Sequence, residues 1–482
     1  MLIPFGEYVP DAAEQDSGVL EVAKNVYPTA NGYSPIKALS AYSDALAADP
    51  KGLFLFRNVS GTWEPWAFTT TKAYQLSTTT WTDRSGAKTF AVPAGEFVQA
   101  TQFGPEAIFT NYVDGLYSVN VDSGTNVAAV SGSPPTARCI DVMNGHVMIG
   151  STGSDDYEVA WSDTEDSTNW STGNAASQAL VDGGRPMVIC GAAGLVVQDR
   201  GITRVTFQPG DSKVFSFDLI ESAGGTLAPN SVIKQDDEIA YLAEDGFWYR
   251  GEPIGHEKVA RKFFATASPD QISLTQGVAD PIRPIFYWIF HTSSTATTYP
   301  QGLAYNWYLK KWSELEFDVK FLSVIATPGV SPDSWTVSPD SEPTSPDSQL
   351  WAGGAPVMAG FDANKKLAFL DGTNLEATFE TGDIDIGNAL SAQMQMEGNR
   401  RAVIRSARLV GDTTSAVMNL RYKGATGNTG AWLASEVSQR SSGNFYFHRS
   451  GRIFRFRVRI PSSTTWSYAR GIDITARRSG WQ

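Results

Sequence analysis

The sequence predicts a nearly all-β protein, with a β-propeller of six or seven blades followed by a β-sandwich-like platform domain at the C-terminus. Three observations predict this class. Strand-like segments recur at an almost constant interval along the first half of the chain. Apolar residues alternate or cluster over strand length in runs such as TWEPWAF and FRFRVRI. Aromatic residues make up 12% of the 482 residues, and glycine and proline together number 69, as expected for many strands joined by turns.

The repeat is defined by five aromatic or β-branched residues at the centres of strand-like segments. They are Tyr74, Tyr117, Trp161, Val205 and Trp248, at intervals of 43, 44, 44 and 43 residues. One propeller blade is a four-stranded antiparallel sheet and needs about 40 to 50 residues with its turns. The interval therefore predicts one blade per repeat.

Two further segments extend the series. They are centred on Trp307 and Phe369, at intervals of 59 and 62 residues, so insertions lengthen the repeat there. The seven anchors together predict six or seven blades. A second interpretation stays open, because tryptophan and tyrosine are common at strand centres in any β protein.

The chain divides into three predicted parts. Residues 1–50 are an extended leader that packs on the body or on a partner. Residues 51–376 form the propeller, and residues 377–482 form a basic C-terminal β domain. A proline-rich loop at 327–348, in which SPDS occurs three times, is predicted to be extended and exposed, either as a tip that touches a surface or as a passive solvated loop.

Cysteine content and hydropathy bear on location. The two cysteines, Cys139 and Cys190, lie in apolar strand contexts and are predicted to be buried, reduced thiols. The N-terminus lacks a basic segment followed by a long apolar one, and no run of 18 apolar residues occurs. We expect neither secretion by a signal peptide nor stable membrane insertion.

Charge is unevenly distributed along the chain. The net charge is −13, yet residues 390–482 contain 15 basic and four acidic residues, and the preceding residues contain 23 basic and 47 acidic ones. A basic domain on an acidic body predicts association with a neighbouring copy or docking on another acidic surface. The alternative is two independent domains of unlike charge.

The strand GRIFRFRVRIP carries this basic character most clearly. Its apolar residues fall on one face, and Arg455, Arg457 and Arg459 fall on the other, because successive side chains alternate sides. Like charges side by side on a strand are costly unless acidic groups cover them. We therefore predict that these arginines form salt bridges to a neighbouring subunit or an adaptor. The same interface role is predicted for three further arginines, Arg401, Arg405 and Arg408.

Catalytic and metal-binding patterns are missing from the sequence. The four histidines stand in separate segments, and no G-x-S-x-G motif or phosphate-binding loop occurs. Acidic clusters at 155–166 and 236–245 would suit Ca²⁺ or the carboxylate pair of a glycoside hydrolase, or are simply solvated hairpin acids. We expect no enzymatic activity, no cofactor and no bound metal.

Two stretches, residues 183–251 and 451–480, resemble the tail hub or nozzle proteins of short-tailed double-stranded DNA bacteriophages, also called tail tubular proteins. The resemblance is carried by Gly184-Arg185-Pro186, by the segment from Ala223 to Pro229, by Asp245-Gly246-Phe247, and by Trp466 with Gly471-Ile472-Asp473. Subunits of that family combine a β-propeller with a β-rich platform. No catalytic residues come with the family.

The resemblance implies a structural virion protein. It implies a homo-oligomer, a hexameric ring, that contacts the head-to-tail adaptor and portal ring and the tail fibres or tip proteins. Double-stranded DNA would pass through the ring as cargo, and the protein would be assembled in the host cytoplasm and reside in the phage tail. Two alternatives remain: a glycan-binding or glycan-cleaving propeller, such as a tail-associated depolymerase or lectin, and a bacterial scaffold unrelated to virions.

Overall fold

The computed structural model describes residues 1–13, 18–210, 213–222, 224–326, 356–386, 400–424 and 430–481. Within these ranges the chain is almost entirely β. Among the strands of these described ranges lie one α-helix, α1 (Ala260–Thr266), and two 3-10 helices, Pro229–Ser231 and Pro269–Leu274. The proline-rich loop predicted at 327–348 lies outside the described residues.

The strands up to residue 253 form an N-terminal group and five sheets. The N-terminal group is β1 (Leu2–Pro4), β2 (Leu20–Lys24), β3 (Val26–Thr29), β4 (Gly32–Pro35) and β5 (Ser40–Ala45). Blades 1 to 5 are four-stranded antiparallel sheets that follow one another along the chain. Blade 1 contains β6 (Pro50–Arg57), β7 (Trp63–Thr69), β8 (Ala73–Ser77) and β9 (Thr80–Asp83), and blade 2 contains β10 (Gln99–Phe103), β11 (Glu106–Thr110), β12 (Leu116–Asn120) and β13 (Ala128–Ala129). Blade 3 contains β14 (Ala137–Met143), β15 (His146–Thr152), β16 (Glu158–Trp161) and β17 (Ala176–Ala179), and blade 4 contains β18 (Pro186–Cys190), β19 (Leu195–Gln198), β20 (Ile202–Phe207) and β21 (Phe215–Glu221). Blade 5 contains β22 (Ile233–Gln235), β23 (Glu238–Ala243), β24 (Gly246–Tyr249) and β25 (Glu252–Pro253).

Two further blades close the propeller. Their strands are β26 (Gln276–Ala279), β27 (Ile285–Phe290), β28 (Tyr299–Asn306), β29 (Lys311–Ala326), β30 (Pro356–Asp362) and β31 (Lys366–Phe369). The long strand β29 serves both blades, because its first half pairs with β28 and its second half pairs with β30. The outermost strand of blade 7 is β5, which pairs with β31. A strand from the start of the chain therefore completes the last blade, and the described sheets form seven blades.

The predicted repeat is confirmed strand by strand. The five anchors Tyr74, Tyr117, Trp161, Val205 and Trp248 all lie on the third strand of their blades. The two later anchors also fit, because Trp307 directly follows β28 and Phe369 ends β31, the third strands of blades 6 and 7. The helix α1 and the second 3-10 helix lie in the connection from blade 5 to blade 6, which explains the first lengthening of the interval.

Hydrophobic clusters between neighbouring blades hold the ring together. Each of the seven blade junctions has its own cluster of buried side chains within the described residues. Between blades 1 and 2, the rings of Phe68 and Phe109 lie 4.6 Å apart. Cys139 and Cys190 are buried in such clusters as free thiols, as predicted, and burial raises the pKa of Cys139 to about 12 and that of Cys190 to about 11.

The C-terminal strands form a β-sandwich with strands from the N-terminus. They are β32 (Ala377–Thr381), β33 (Ile384–Asp385), β34 (Arg400–Gly411), β35 (Val417–Lys423), β36 (Ala431–Trp432), β37 (Val437–Ser438), β38 (Asn444–Gly451), β39 (Ile453–Ile460) and β40 (Ala469–Trp481). We call the sheet of β1, β3, β4, β40, β34 and β38 the terminal sheet, because it contains both ends of the chain. The linked sheet contains β2, β32, β33, β39, β35, β36 and β37, and β2 joins it to β29 of blade 6.

The sandwich and the propeller share one core. Phe379 and Phe454 of the linked sheet and Ile472 of the terminal sheet belong to the same buried cluster as Phe247 of blade 5 and Trp288 of blade 6. Burying aromatic side chains of this size stabilises a junction by roughly 1.5 to 3 kcal/mol each. The sandwich is therefore fixed at the junction of blades 5 and 6.

The predicted leader requires a correction. Residues 1–50 do not form one extended segment, because β1 to β4 belong to the sandwich and β5 belongs to blade 7. Both modules are closed by strands from the N-terminus and by strands from later in the chain. A linear division of the sequence cannot express this arrangement, since strand pairing joins residues that are hundreds of positions apart.

The N-terminal segment also caps helix α1. The Asp11 carboxylate accepts hydrogen bonds from the backbone N–H groups of Arg261 (2.8 Å) and Lys262 (2.9 Å). The residue that precedes the helix, Val259, has no side chain able to do this. Nearby, the buried Tyr8 hydroxyl donates to Glu314 at 3.1 Å. A distant segment therefore satisfies the free N–H groups at the helix start.

Candidate functional site

The arginine-bearing strand predicted from GRIFRFRVRIP is β39, in the linked sheet. Its apolar residues Phe454, Phe456, Val458 and Ile460 are fully buried, so the predicted division into two faces is confirmed. On the other face, each guanidinium has acidic partners. Arg455 contacts Glu380 (3.3 Å), Asp383 (2.9 Å) and Glu21; Arg457 contacts Glu380 (2.7 Å); Arg459 contacts Glu376 (2.9 Å) and Glu436.

The Asp383 carboxylate contacts three cationic side chains of this cluster. The buried carboxylate contacts Arg421 at 3.0 Å, Lys423 at 2.6 Å and Arg455 at 2.9 Å. Burial by itself would raise the pKa of Asp383, but hydrogen bonds from Lys423 and Arg421 and the charge of Arg455 outweigh it, so this pKa lies below its usual value.

These contacts change the interface prediction. Arg455 is only 3% exposed, so it is not available to a second subunit, and the predicted interface role is wrong for this residue. Arg457 and Arg459 keep about a third of their side-chain surface, 38% and 35%, and their interface role stays a prediction. The acidic cover that a strand of arginines requires is supplied within the chain itself.

The sequence also contains a pattern that indicates the acidic strand next to these arginines. In EATFETGD, Glu376 and Glu380 alternate with the buried Ala377 and Phe379, as on a strand with one acidic and one apolar face. Strand β32 pairs directly with β39 and places Glu380 opposite Arg457. An acidic stripe and a basic stripe at the same period indicate neighbouring strands.

The terminal sheet carries a different group of arginines. Arg405 and Arg408 of β34 are exposed, and so are Arg449 of β38 and Arg470 and Arg477 of β40. None of these five has an ion pair within the described residues. Tyr446 lies on the same surface and is 51% exposed. We call the surface formed by Arg405, Arg408, Arg470, Arg477 and Tyr446 the basic face; Arg449 is left out because it pairs with the buried Ile404.

Two contacts and a half-buried arginine define the surroundings of the basic face. Asp473 lies opposite Arg408 on β40, but the N-terminal ammonium of Met1 contacts its carboxylate at 3.0 Å. Arg470 stacks on the ring of Tyr468, with 4.8 Å between guanidinium carbon and ring centre. Arg401, the sixth predicted interface residue, is half-buried on the same strand as Arg408. The basic face is therefore largely uncompensated, and we regard it as the candidate functional site.

Polar contacts between blades cross the propeller axis. Gln99 of blade 2 donates to Asn230, which precedes blade 5, at 3.0 Å. Asp141 of blade 3 contacts Lys234 of blade 5 at 2.6 Å and accepts from Thr101 of blade 2 at 3.2 Å. Burial would lower the pKa of Lys234, but the Asp141 carboxylate raises it overall. These contacts link blades across the axis and obstruct passage along it.

The acidic clusters named from the sequence lie in turns at the blade edges. Asp163 accepts hydrogen bonds from the backbone N–H groups of Thr164 and Asn174, both at 2.8 Å, and these bonds lower its pKa. In the described part of the chain, no three His, Cys, Asp or Glu side chains are grouped so as to hold a metal ion. These acids therefore organise turns.

Two cavities open on the surface of the protein. A groove of about 200 Å³ between propeller and sandwich is lined by Tyr27, Tyr287 and Trp466, among others. An open depression of about 610 Å³ beside α1 contains His256, whose Nε2 lies 3.2 Å from Asp245. Among the described residues, no serine, threonine or cysteine lines that depression.

The length of the helices bears on whether the chain could span a membrane. Helix α1 has seven residues, and no helix of the described ranges has the length and apolar character to span a bilayer.

The topology defines the protein as a seven-bladed β-propeller with an attached β-sandwich. No protein-family model and no curated protein matches the sequence. Among solved structures, YCF48 bound to D1 peptide is 13% identical, with 60% of this chain and 91% of that chain covered and a TM-score of 0.35. BamB from Moraxella catarrhalis is 12% identical, with 71% and 92% covered and a TM-score of 0.33. The computationally designed protein Ika8 is 9% identical, with 68% and 98% covered and a TM-score of 0.34.

Proposed function

We propose that this protein is a structural subunit of the tail of a short-tailed bacteriophage, a nozzle or hub that assembles into a ring through which the genome is retained and ejected. The proposal starts from the resemblance of residues 183–251 and 451–480 to that family. The structural observation that carries it is the basic face, because several unpaired arginines on one sheet favour a docking surface.

The propeller is better suited to form part of the wall of the ring's channel than to act as the channel itself. Contacts at Gln99 and Asp141 cross its own axis, so DNA would run along the axis of the assembled ring and past the outside of each propeller. The seven blade junctions are packed with buried side chains, which suits a rigid part of a wall.

Quantitative mass spectrometry of purified phage particles from the source lysate tests the proposal. We expect this chain in a fixed ratio to the portal subunit. Absence of the chain from particles would overturn the proposal. In that case a screen of the isolated protein against host surface polysaccharide would test the glycan-binding alternative.

A further inference from the structure

We propose that the basic face of one copy docks on an acidic patch of blades 2 and 3 of a neighbouring copy. This inference rests on the proposed ring function and names the contact that would build the ring. The proposal assigns the contact between subunits to solvent-exposed arginines of the basic face and not to the buried Arg455.

The acidic patch lies on loops of blade 3. Asp155 and Asp156 are in the loop between β15 and β16, and Asp182 is in the connection from blade 3 to blade 4; all three are exposed. Two apolar side chains accompany them, Tyr157 at 36% and Val181 at 61% exposure. Exposed apolar groups clustered with charge are typical of surfaces that bind another protein.

The loops that carry the patch are held together, and the charge of the patch is only partly compensated. The backbone N–H of Leu180 donates to the Tyr157 carbonyl at 2.8 Å, which joins the two loops. Arg185, close in sequence, contacts Asp199 at 3.0 Å, and its charge also acts on Asp156, which accepts a hydrogen bond from the Tyr112 hydroxyl at 3.2 Å. None of the three patch carboxylates has an ion pair among the described residues. The adjoining loop of blade 2 adds Val113, which is 52% exposed.

Because of their positions in the fold, the two surfaces cannot meet within one copy. The sandwich is fixed at the junction of blades 5 and 6, and blades 2 and 3 lie across the ring from it. The basic face also repels an identical face, so it does not suit a symmetric two-fold contact. A contact between two different surfaces of successive copies is heterologous, and such contacts generate rings when the rotation closes.

The two surfaces match in chemistry. The basic face presents arginines around Tyr446, and the acidic patch presents aspartates around Tyr157 and Val181. Opposite charges around apolar contacts orient partners and speed their association. A nucleic acid would also suit the arginines, but it would leave the exposed apolar groups and the acidic patch without a partner, so a second copy is favoured.

Sedimentation velocity of the purified full-length chain, over a range of protein and salt concentrations, tests the contact. The first variant is Arg405→Glu with Arg408→Glu, and the second is Asp155→Lys with Asp182→Lys. We expect each variant to weaken assembly at least about tenfold and the combination of all four changes to restore much of it. Assembly of the natural chain should weaken as salt increases.

A control variant carries Asp236→Lys with Asp237→Lys, which reverses two exposed acids in the turn between β22 and β23. It should assemble normally. Normal assembly of both test variants would overturn the docking contact alone, whereas a natural chain that stays monomeric at every concentration would also overturn the ring function. Loss of duplex DNA binding by the arginine variant, with unchanged assembly, would identify the basic face as a nucleic-acid surface and overturn this proposal.

Discussion

Asp383 has a role that its sequence context, TGDID, does not indicate. One carboxylate with 6% side-chain exposure meets Arg421, Lys423 and Arg455, and two of these cations lie directly opposite each other on neighbouring strands. Without this carboxylate, like charges on β35 and β39 would repel each other at close range. Asp383 therefore permits the two basic strands to pair.

The substitution Asp383→Asn tests this role. It keeps the shape of the side chain but removes the negative charge, and we expect it to lower the free energy of unfolding by about 3 kcal/mol, because a buried cation loses a partner. Asp473→Asn, at an exposed pair with the N-terminus, is the control and should cost less than about 1 kcal/mol. Urea unfolding measures both; equal effects would contradict the role of Asp383.

The same residue predicts a pH dependence. Because the pKa of Asp383 is lowered in the folded state, the unfolded chain takes up its proton first as pH falls. The contribution of Asp383 is therefore complete near neutral pH and is lost as pH decreases through about 4 and below. Thermal unfolding between pH 6 and pH 3 should show a smaller loss of stability for Asp383→Asn than for the natural chain. Parallel curves would contradict this prediction.

At the scale of single elements, helix α1 depends on a segment about 250 positions away in sequence. The seven-residue helix has no cap of its own, and Asp11 binds its first N–H groups. Short helices are marginal in water and need such tertiary support. The helix in turn contributes Phe263 to the core shared by propeller and sandwich.

The substitution Asp11→Ala should lower stability by about 1 kcal/mol, as for the loss of an N-cap. Asp11→Asn retains a side-chain oxygen that accepts one of the hydrogen bonds and should cost less. Glu7→Gln, which weakens a surface contact to Lys258 on the same segment, is a matched control with an expected effect below about 1 kcal/mol. An effect of Asp11→Ala no larger than that of Glu7→Gln would show that the cap is not needed.

At the scale of the whole molecule, both modules are closed by the N-terminus. Strand β5 completes blade 7, and β1 to β4 add to the sandwich sheets. A propeller ring that lacks its last outer strand exposes an edge and opens one hydrophobic junction, here the cluster that contains Leu46, Leu53 and Phe369. The ring and the sandwich therefore both depend on the same N-terminal segment.

A chain that begins at residue 46 should therefore not fold into a stable propeller. We expect loss of the cooperative thermal transition and rapid digestion in limited proteolysis. Addition of a peptide of residues 1–45 should restore part of the transition, which separates a missing strand from a general defect. A truncated chain with the unfolding temperature of the full chain would contradict this picture.

The interval of about 43 residues was sufficient to predict the propeller. Each blade repeats the same order of four strands, so the third strand of each repeat carries an aromatic or β-branched residue, as Tyr74 and Trp248 do. The two faces of β39 followed from the alternation of side chains along a strand. The blade count and the shared strands required tertiary structure, because β5 and β31 pair across more than 300 positions.

The candidate site divides in the same way. The sequence by itself determined that arginines cluster after residue 390 and that Arg455, Arg457 and Arg459 share one face of a strand, since side-chain direction follows from local geometry. Only the tertiary structure decided which arginines are neutralised, because the acids that cover them, Glu21 and Asp383 among others, come from other parts of the chain. Charge pairing depends on distance in space, and the sequence specifies only distance along the chain.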